Sequence, residues 1–216
     1  MVRRRDVIGQ ILGAAILSRR AVAQSRMTPD EALRALTSGN DRFAANRFTS
    51  VEHDLQILRD HTVDKQEPFA GVLSCADSRV PVELVFDQTI GQIFVTRVAG
   101  NIVTPEIIGS LEYGVAVLGL KVLIVLGHSS CGAVKAAIKG DSVPGQISVL
   151  YQKLHTGVSK AGGDVNKAIE LNAVAQADLL RTSSPVIRDA IKAKALRVES
   201  GVYDLGTGKV KLIQKS

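Results

Sequence analysis

The two cysteines of this chain each stand close to a second side chain that can bind a metal ion. Cys75 precedes Asp77 by two residues, and His128 precedes Cys131 by three. Thiolate, imidazole and carboxylate are all ligands that Zn²⁺ accepts, and four of them complete a tetrahedral site. The sequence therefore predicts a zinc site that is assembled from two distant segments of the chain.

Arg79 bears on whether this predicted site is open or closed. A guanidinium can bind both oxygens of a carboxylate, so Arg79 can hold Asp77 away from the metal. A catalytic zinc needs one open coordination position, whereas four protein ligands make a purely structural site. We interpret the pattern as a zinc hydrolytic or hydration site, with the closed structural site as the alternative. A redox dithiol is disfavoured because the chain contains no C-x-x-C motif.

Both clusters follow short apolar runs that are typical of buried strands. Residues 69–74 end at Cys75, and residues 121–126 end at Gly127 and His128. If these strands are parallel neighbours, their carboxyl ends meet at one edge of the sheet and bring the clusters together. Cys131 opens a predicted helix at 131–139, where the helix dipole is expected to lower the pKa of its thiol.

The remaining pattern predicts an α/β fold with a mostly parallel central β-sheet flanked by helices. Its last feature is an antiparallel C-terminal hairpin strand, predicted from alternating runs at 196–205 and 209–213. Residues 141–163 are predicted to be the least regular part. The other predicted elements are a strand at 92–97, a helical turn at 81–86, and helices at 28–47, 55–62, 105–118, 164–181 and 185–194.

Residues 1–23 have the pattern of an export signal. A basic start precedes an apolar stretch at 7–17, and Ala21-Val22-Ala23 is an A-x-A cleavage pattern. The pair Arg4-Arg5 resembles a degenerate twin-arginine signal. We therefore expect a cleaved, twin-arginine-like leader at 1–23, a single domain at 24–216, and an exported, periplasmic protein.

The charge balance argues against a nucleic-acid partner. The formal net charge is +6, but residues 1–23 carry five arginines and one aspartate, which leaves +2 on the rest of the chain. No apolar stretch after the leader is long enough to span a membrane. In an exported protein a Cys75–Cys131 disulfide competes with metal binding; loading of zinc before export would protect both thiolates.

Four segments of the sequence resemble signatures of the β-class carbonic anhydrases, and the likeness runs from about residue 31 to the final hairpin. These segments are Cys75-Ala76-Asp77-Ser78-Arg79-Val80-Pro81, Arg97-Val98-Ala99-Gly100-Asn101, Leu111-Glu112-Tyr113-Gly114-Val115 and Gly127-His128-Ser129-Ser130-Cys131-Gly132. The resemblance implies reversible hydration of CO₂ to bicarbonate and a proton by attack of a zinc-bound hydroxide.

The same resemblance implies a role for each matching residue. Zn²⁺, one per subunit, would be held by Cys75, His128 and Cys131, with Asp77 and Arg79 as the catalytic dyad. The substrate pocket would be formed by Gln66, Phe94, Ala99, Tyr113 and the backbone N–H of Gly132. The family also implies a homodimer or a larger homo-oligomer.

Two features leave finer assignments open. The chain has no tryptophan, whereas the bicarbonate-inhibited subgroup places one in its regulatory site, so the sequence favours the plant-like, non-allosteric subgroup. The same zinc chemistry can hydrolyse carbonyl sulfide or carbon disulfide, and pocket width would separate these substrates from CO₂. A non-catalytic zinc-binding module is the third functional hypothesis, after hydration of CO₂ and hydrolysis of carbonyl sulfide or carbon disulfide. The intact pair of Asp77 and Arg79 argues against it.

Overall fold

The strand-like runs of the sequence form one five-stranded sheet. The computed structural model describes residues 25–49, Gln56 and 62–213. The strands are β1 (Ala70–Ser74), β2 (Ile93–Arg97), β3 (Val122–His128), β4 (Arg197–Tyr203) and β5 (Val210–Leu212). They lie in the order β2-β1-β3-β4-β5, and every pair is parallel except the antiparallel pair of β4 and β5. The predicted mostly parallel sheet with an antiparallel C-terminal strand is confirmed.

Helices cover both faces of this sheet. The α-helices are α1 (Pro29–Ala44), α2 (Val82–Val85), α3 (Pro105–Tyr113), α4 (Gly132–Lys139), α5 (Ser148–Ser159), α6 (Val165–Ser183) and α7 (Pro185–Lys192). Helix α1 begins as its sequence predicts. The Oγ1 of Thr28 accepts the backbone N–H of Glu31, and the Glu31 carboxylate accepts the backbone N–H of Thr28.

Alternate residues of the central strand β3 supply two separate cores. Ile124 and Leu126 pack on the side of α1, together with Val72 and Phe86. Leu123, on the opposite face, packs with residues from α6 and α7. Every residue of β1 and β3 is buried, which is the expected composition of central parallel strands covered on both faces.

Two sequence expectations need correction. Residues 141–163 were predicted to be the least regular segment, but residues 148–159 form helix α5. The helix predicted at 105–118 is regular only to Tyr113 and continues as a π-helical turn at Gly114–Leu118. The predicted helix at 55–62 and the leader at 1–23 lie outside the described residues, Gln56 and Thr62 apart. Among the helices that the structure describes, none is long and apolar enough to cross a membrane.

Candidate metal centre

The fold brings two cysteines and one histidine to the same edge of the sheet. Cys75 follows β1 directly, and His128 is the last residue of the adjacent parallel strand β3. Cys131 is the N-cap residue of α4, so the short turn from strand to helix places it beside His128. The two Sγ atoms and an imidazole nitrogen all lie within 4.8 Å of one another, and all three residues are buried.

The state of the His128 ring fits a metal ligand. Its Nδ1 lies 3.0 Å from the backbone oxygen of Ser129, so this nitrogen carries the proton and donates it. Its Nε2 is buried and has no hydrogen-bond partner among the described residues. A buried unpaired nitrogen is costly, and a cation bound by its lone pair would satisfy it. Ligands about 2.0–2.3 Å from a tetrahedral Zn²⁺ lie roughly 3.3–3.8 Å apart, a spacing that this cluster can reach.

The two thiols of the centre ionise as a pair. The pKa of Cys75 falls to about 4, chiefly because its sulfur accepts a hydrogen bond from Cys131. The pKa of Cys131 is raised, because its thiol proton is held by Cys75 and because burial penalises a second thiolate. The N–H groups of Ala133 and Val134 at the start of α4 do lower the pKa of Cys131, in the direction that the sequence suggested, but the neighbouring sulfur and burial have the larger effect. A divalent cation would replace the shared proton.

Asp77 stands beside this cluster and is bound by Arg79. Its Oδ1 accepts the backbone N–H and the Nε–H of Arg79, both at 2.9 Å, and its Oδ2 accepts Nη2 at 2.7 Å. These hydrogen bonds hold the pKa of Asp77 well below its usual range. The same Oδ2 lies 3.8 Å from Nε2 of His128, so the carboxylate faces the centre while it remains in the grip of Arg79.

Two groups that hold the segment from Cys75 to Asp77 in place were given no role from the sequence alone. The Arg97 side chain donates to the backbone oxygens of Cys75, at 2.9 Å, and of Asp77, at 2.5 Å. The backbone N–H of Gly100 donates to Sγ of Cys75 at 3.3 Å. Both belong to the segment 97–101 that resembles a family signature, and this was the available signal; the contacts depend on the pairing of β2 with β1, which the sequence alone does not specify.

The predicted pocket residues lie in different settings. Phe94 on β2 and Tyr113 at the end of α3 have ring centroids 6.4 Å apart, and 48% of Tyr113 is exposed. Ala99 is half-buried beside Gly100, and Gly132 is the exposed first residue of α4. Gln66 is exposed in the segment before β1. Within this single chain the aromatic pair therefore remains open on one side.

The chain belongs to the carbonic anhydrase family. The family model described as "Carbonic anhydrase" matches residues 70–210, which include Cys75, His128 and Cys131 and the strands that position them. The fold and the Cys-His-Cys cluster define a member of the β class, and the relatives below identify it as a carbonic anhydrase enzyme.

Curated relatives and solved structures agree with this assignment. Carbonic anhydrase 2 of Mycobacterium tuberculosis is 34% identical over 196 residues, which cover 85% of this chain and 92% of that protein. A tetrameric β-carbonic anhydrase from Sordaria macrospora has 26% identity and a TM-score of 0.68, covering 86% of this chain and 98% of its own. The Coccomyxa β-carbonic anhydrase, solved with acetazolamide, has 29% identity and a TM-score of 0.65, covering 86% of each chain.

Proposed function

We propose that this protein catalyses the reversible hydration of CO₂ to bicarbonate and a proton, with one Zn²⁺ held by Cys75, His128 and Cys131. The observation that carries the proposal is the unpaired Nε2 of His128, which shares a buried site with two sulfur atoms. Two thiolates and a neutral imidazole would balance the charge of the ion. A zinc ion in such a site supplies a Lewis acid that makes water a nucleophile near neutral pH.

Asp77 and Arg79 would keep that site open. Because both Asp77 oxygens are bound by Arg79, the carboxylate is not available as a fourth ligand. Its Oδ2 still faces the metal side of His128, where it can accept a hydrogen bond from the attacking group and so orient the lone pair of that group toward the substrate. Since its pKa lies well below the usual range, Asp77 remains an acceptor through neutral and mildly acidic pH.

An apolar wall beside the metal would suit this substrate. CO₂ has no net dipole and competes poorly with water for polar surfaces, so a small apolar pocket favours it. Phe94, Ala99 and Tyr113 would form this wall, with Gln66 and the Gly132 N–H as polar contacts. The described contact between Phe94 and Tyr113 supports the aromatic part of this assignment.

We further propose that the active form is a homodimer or a larger homo-oligomer of the plant-like, non-allosteric subgroup. The exposed ring of Tyr113 and the position of Phe94 on the edge strand β2 support a pocket that a second subunit completes. The absence of tryptophan from the sequence supports the subgroup. The pattern of residues 1–23 supports export to a periplasm after cleavage of a twin-arginine-like leader.

Stopped-flow measurement of CO₂ hydration, with carbonyl sulfide offered in parallel, tests the proposed substrate. Rapid acidification with CO₂ and little hydrolysis of carbonyl sulfide is the expected result. If the protein instead turns over carbonyl sulfide preferentially, carbonyl sulfide rather than CO₂ is its substrate. A protein that binds zinc and turns over neither compound would be a non-catalytic zinc-binding module.

A further inference from the structure

The buried face of helix α6 carries two amide side chains that the proposed chemistry does not use. Asn172 and Gln176 are one helical turn apart, and they are only 1% and 3% exposed. Buried amides are retained at a cost unless all their polar atoms are paired. Here Nε2 of Gln176 donates to Oδ1 of Asn172 at 3.1 Å and to the backbone oxygen of Lys153 at 3.0 Å, which locks the two side chains together.

The pair holds both ends of the turn that follows β2. Nδ2 of Asn172 donates to the backbone oxygen of Gly100 at 2.9 Å. Oε1 of Gln176 accepts the backbone N–H of Val103 at 2.8 Å. Between these two bonds the backbone has little freedom, and Gly100 itself adopts a left-handed conformation with φ of 75°. A Cβ at Gly100 would lie 3.1 Å from the Leu154 side chain, so helix α5 also packs tightly against the turn.

The turn after β2 also contacts Cys75, a proposed metal ligand. The N–H of Gly100 donates to Sγ of Cys75, while its carbonyl accepts from Asn172. Gly100 therefore connects the amide pair to the sulfur, because its carbonyl is bonded to Asn172 and its N–H to Cys75. A hydrogen bond to a metal-bound thiolate withdraws charge from the sulfur and fixes its direction, and partners of this kind commonly affect metal affinity.

We infer that Asn172, supported by Gln176, is a positioning residue for the metal centre and acts through Gly100 on the sulfur of Cys75. The inference rests on the proposed metal site and adds a role for two residues on a helix that provides no ligand. Loss of the Asn172 side chain would free the Gly100 carbonyl and weaken the N–H···S bond. The sulfur would then carry more charge, and its position would be less well defined.

Cobalt substitution measures this effect on the sulfur directly. The full-length protein is loaded with Co²⁺, and the energy of the thiolate-to-cobalt charge-transfer band and the Co²⁺ dissociation constant are compared between wild type and Asn172→Ala. We expect the band to move to lower energy, because a thiolate without its hydrogen bond is more easily oxidised. We expect Co²⁺ binding to weaken about tenfold, the lower end of the range for such outer partners, because the loss of a fixed sulfur position outweighs the greater charge on the sulfur.

Asn40→Ala is the matched control. Asn40 is also a buried amide, 3% exposed, and it bonds the backbone groups of Val85, Gly208 and Val210 on the α1 side of the sheet. This variant should lose thermal stability yet keep the wild-type band and affinity. Equal shifts in the two alanine variants, or no shift in Asn172→Ala, would overturn the inference.

A second variant and the metal binding of the wild-type protein separate the remaining outcomes. If Asn172→Ala does not fold, Gln176→Leu removes the three bonds to Val103, Lys153 and Asn172 at similar volume, and a smaller shift in the same direction is expected. An unmoved band would contradict the inference. If the wild-type protein binds no Co²⁺ or Zn²⁺, the proposed function itself fails. Normal binding by wild type with an unaffected Asn172→Ala would reject the positioning role alone.

Discussion

Arg79 binds both oxygens of Asp77, through Nε at 2.9 Å and Nη2 at 2.7 Å, and its own backbone N–H adds a third bond to the same carboxylate. Asp77 is thereby held 3.8 Å from Nε2 of His128, close to the centre but directed toward another partner. In the proposed mechanism, this relationship keeps the metal site open. The first two predictions follow from it.

Asp77→Asn should retain zinc and lose CO₂ hydration by about 100-fold, since a neutral amide accepts and orients the hydrogen bond of the attacking group less well than a carboxylate, and lost orientation can cost about 10² in rate. Zinc content and kcat/KM, measured on the same sample, check this. Asp141→Asn removes an exposed carboxylate that pairs with Lys139 and should behave as wild type. Full turnover by Asp77→Asn would remove the dyad from the mechanism.

In the metal-free protein, Arg79→Ala should let the pKa of Asp77 return toward about 4; in the zinc-loaded protein, it should allow Asp77 to occupy the open position on the metal. Hydration at pH 7 should then fall about 100-fold while zinc stays bound. Arg79→Lys restores the charge without the two-point contact and should recover activity only in part. The Asp77 carboxyl titration, followed by NMR, and kcat/KM measure the two effects. Wild-type activity for Arg79→Ala near pH 7 would contradict the role of Arg79.

Metal uptake by the metal-free protein should release about one proton at pH 7. With a pKa of about 4, Cys75 is already a thiolate at this pH, whereas the raised pKa of Cys131 keeps its thiol protonated. At lower pH Cys75 also becomes protonated, so more protons should be released on metal uptake and binding should weaken. Titration calorimetry in buffers of different ionisation enthalpy counts these protons. Release of two protons at pH 7 would mean either that Cys75 is still protonated in the metal-free protein or that water on the metal has also ionised, and the thiolate absorbance of the metal-free protein decides between the two.

Gly39→Ala should destabilise the protein by about 2 kcal/mol or more, because a Cβ there would lie 1.8 Å from the backbone oxygen of Phe86. Helix α1 cannot stay against α2 without a shift of one of them. Gly109→Ala is the matched control in α3, where a Cβ meets nothing within 4 Å. It should be neutral or stabilise by about 0.5–1 kcal/mol. Chemical denaturation gives both values, and equal effects would argue against the close packing of α1 on α2.

The sequence predicted the grouping of Cys75, His128 and Cys131 because its signals were local. Cys75 and His128 each end an apolar run, and Cys131 opens a helix, so the only remaining condition was that β1 and β3 are neighbours. The contacts that hold the cluster were not predictable in this way. Arg97 and Gly100 reach Cys75 through tertiary structure, and neither the spacing nor the residue type of these two marks the contact.

Helix α5 was missed for a comparable reason. It lacks a side-chain N-cap and follows a segment with Pro144 and Gly145, which suggests a loop. Gly157 in its interior also looks like a helix breaker, but a Cβ there would lie 2.7 Å from the backbone nitrogen of Asn172. The glycine permits close packing of α5 on α6, and this packing stabilises a helix that local propensity alone does not favour.

Progressive removal of zinc by a chelator, with metal content and the CO₂ hydration rate determined on the same samples, tests the central claim most directly. We predict one Zn²⁺ per subunit in the active protein, a rate that falls in proportion to the zinc removed, and recovery when zinc is restored. CO₂ hydration at the full rate without zinc would contradict the account. So would a His128→Ala variant that binds zinc as tightly as the wild-type protein.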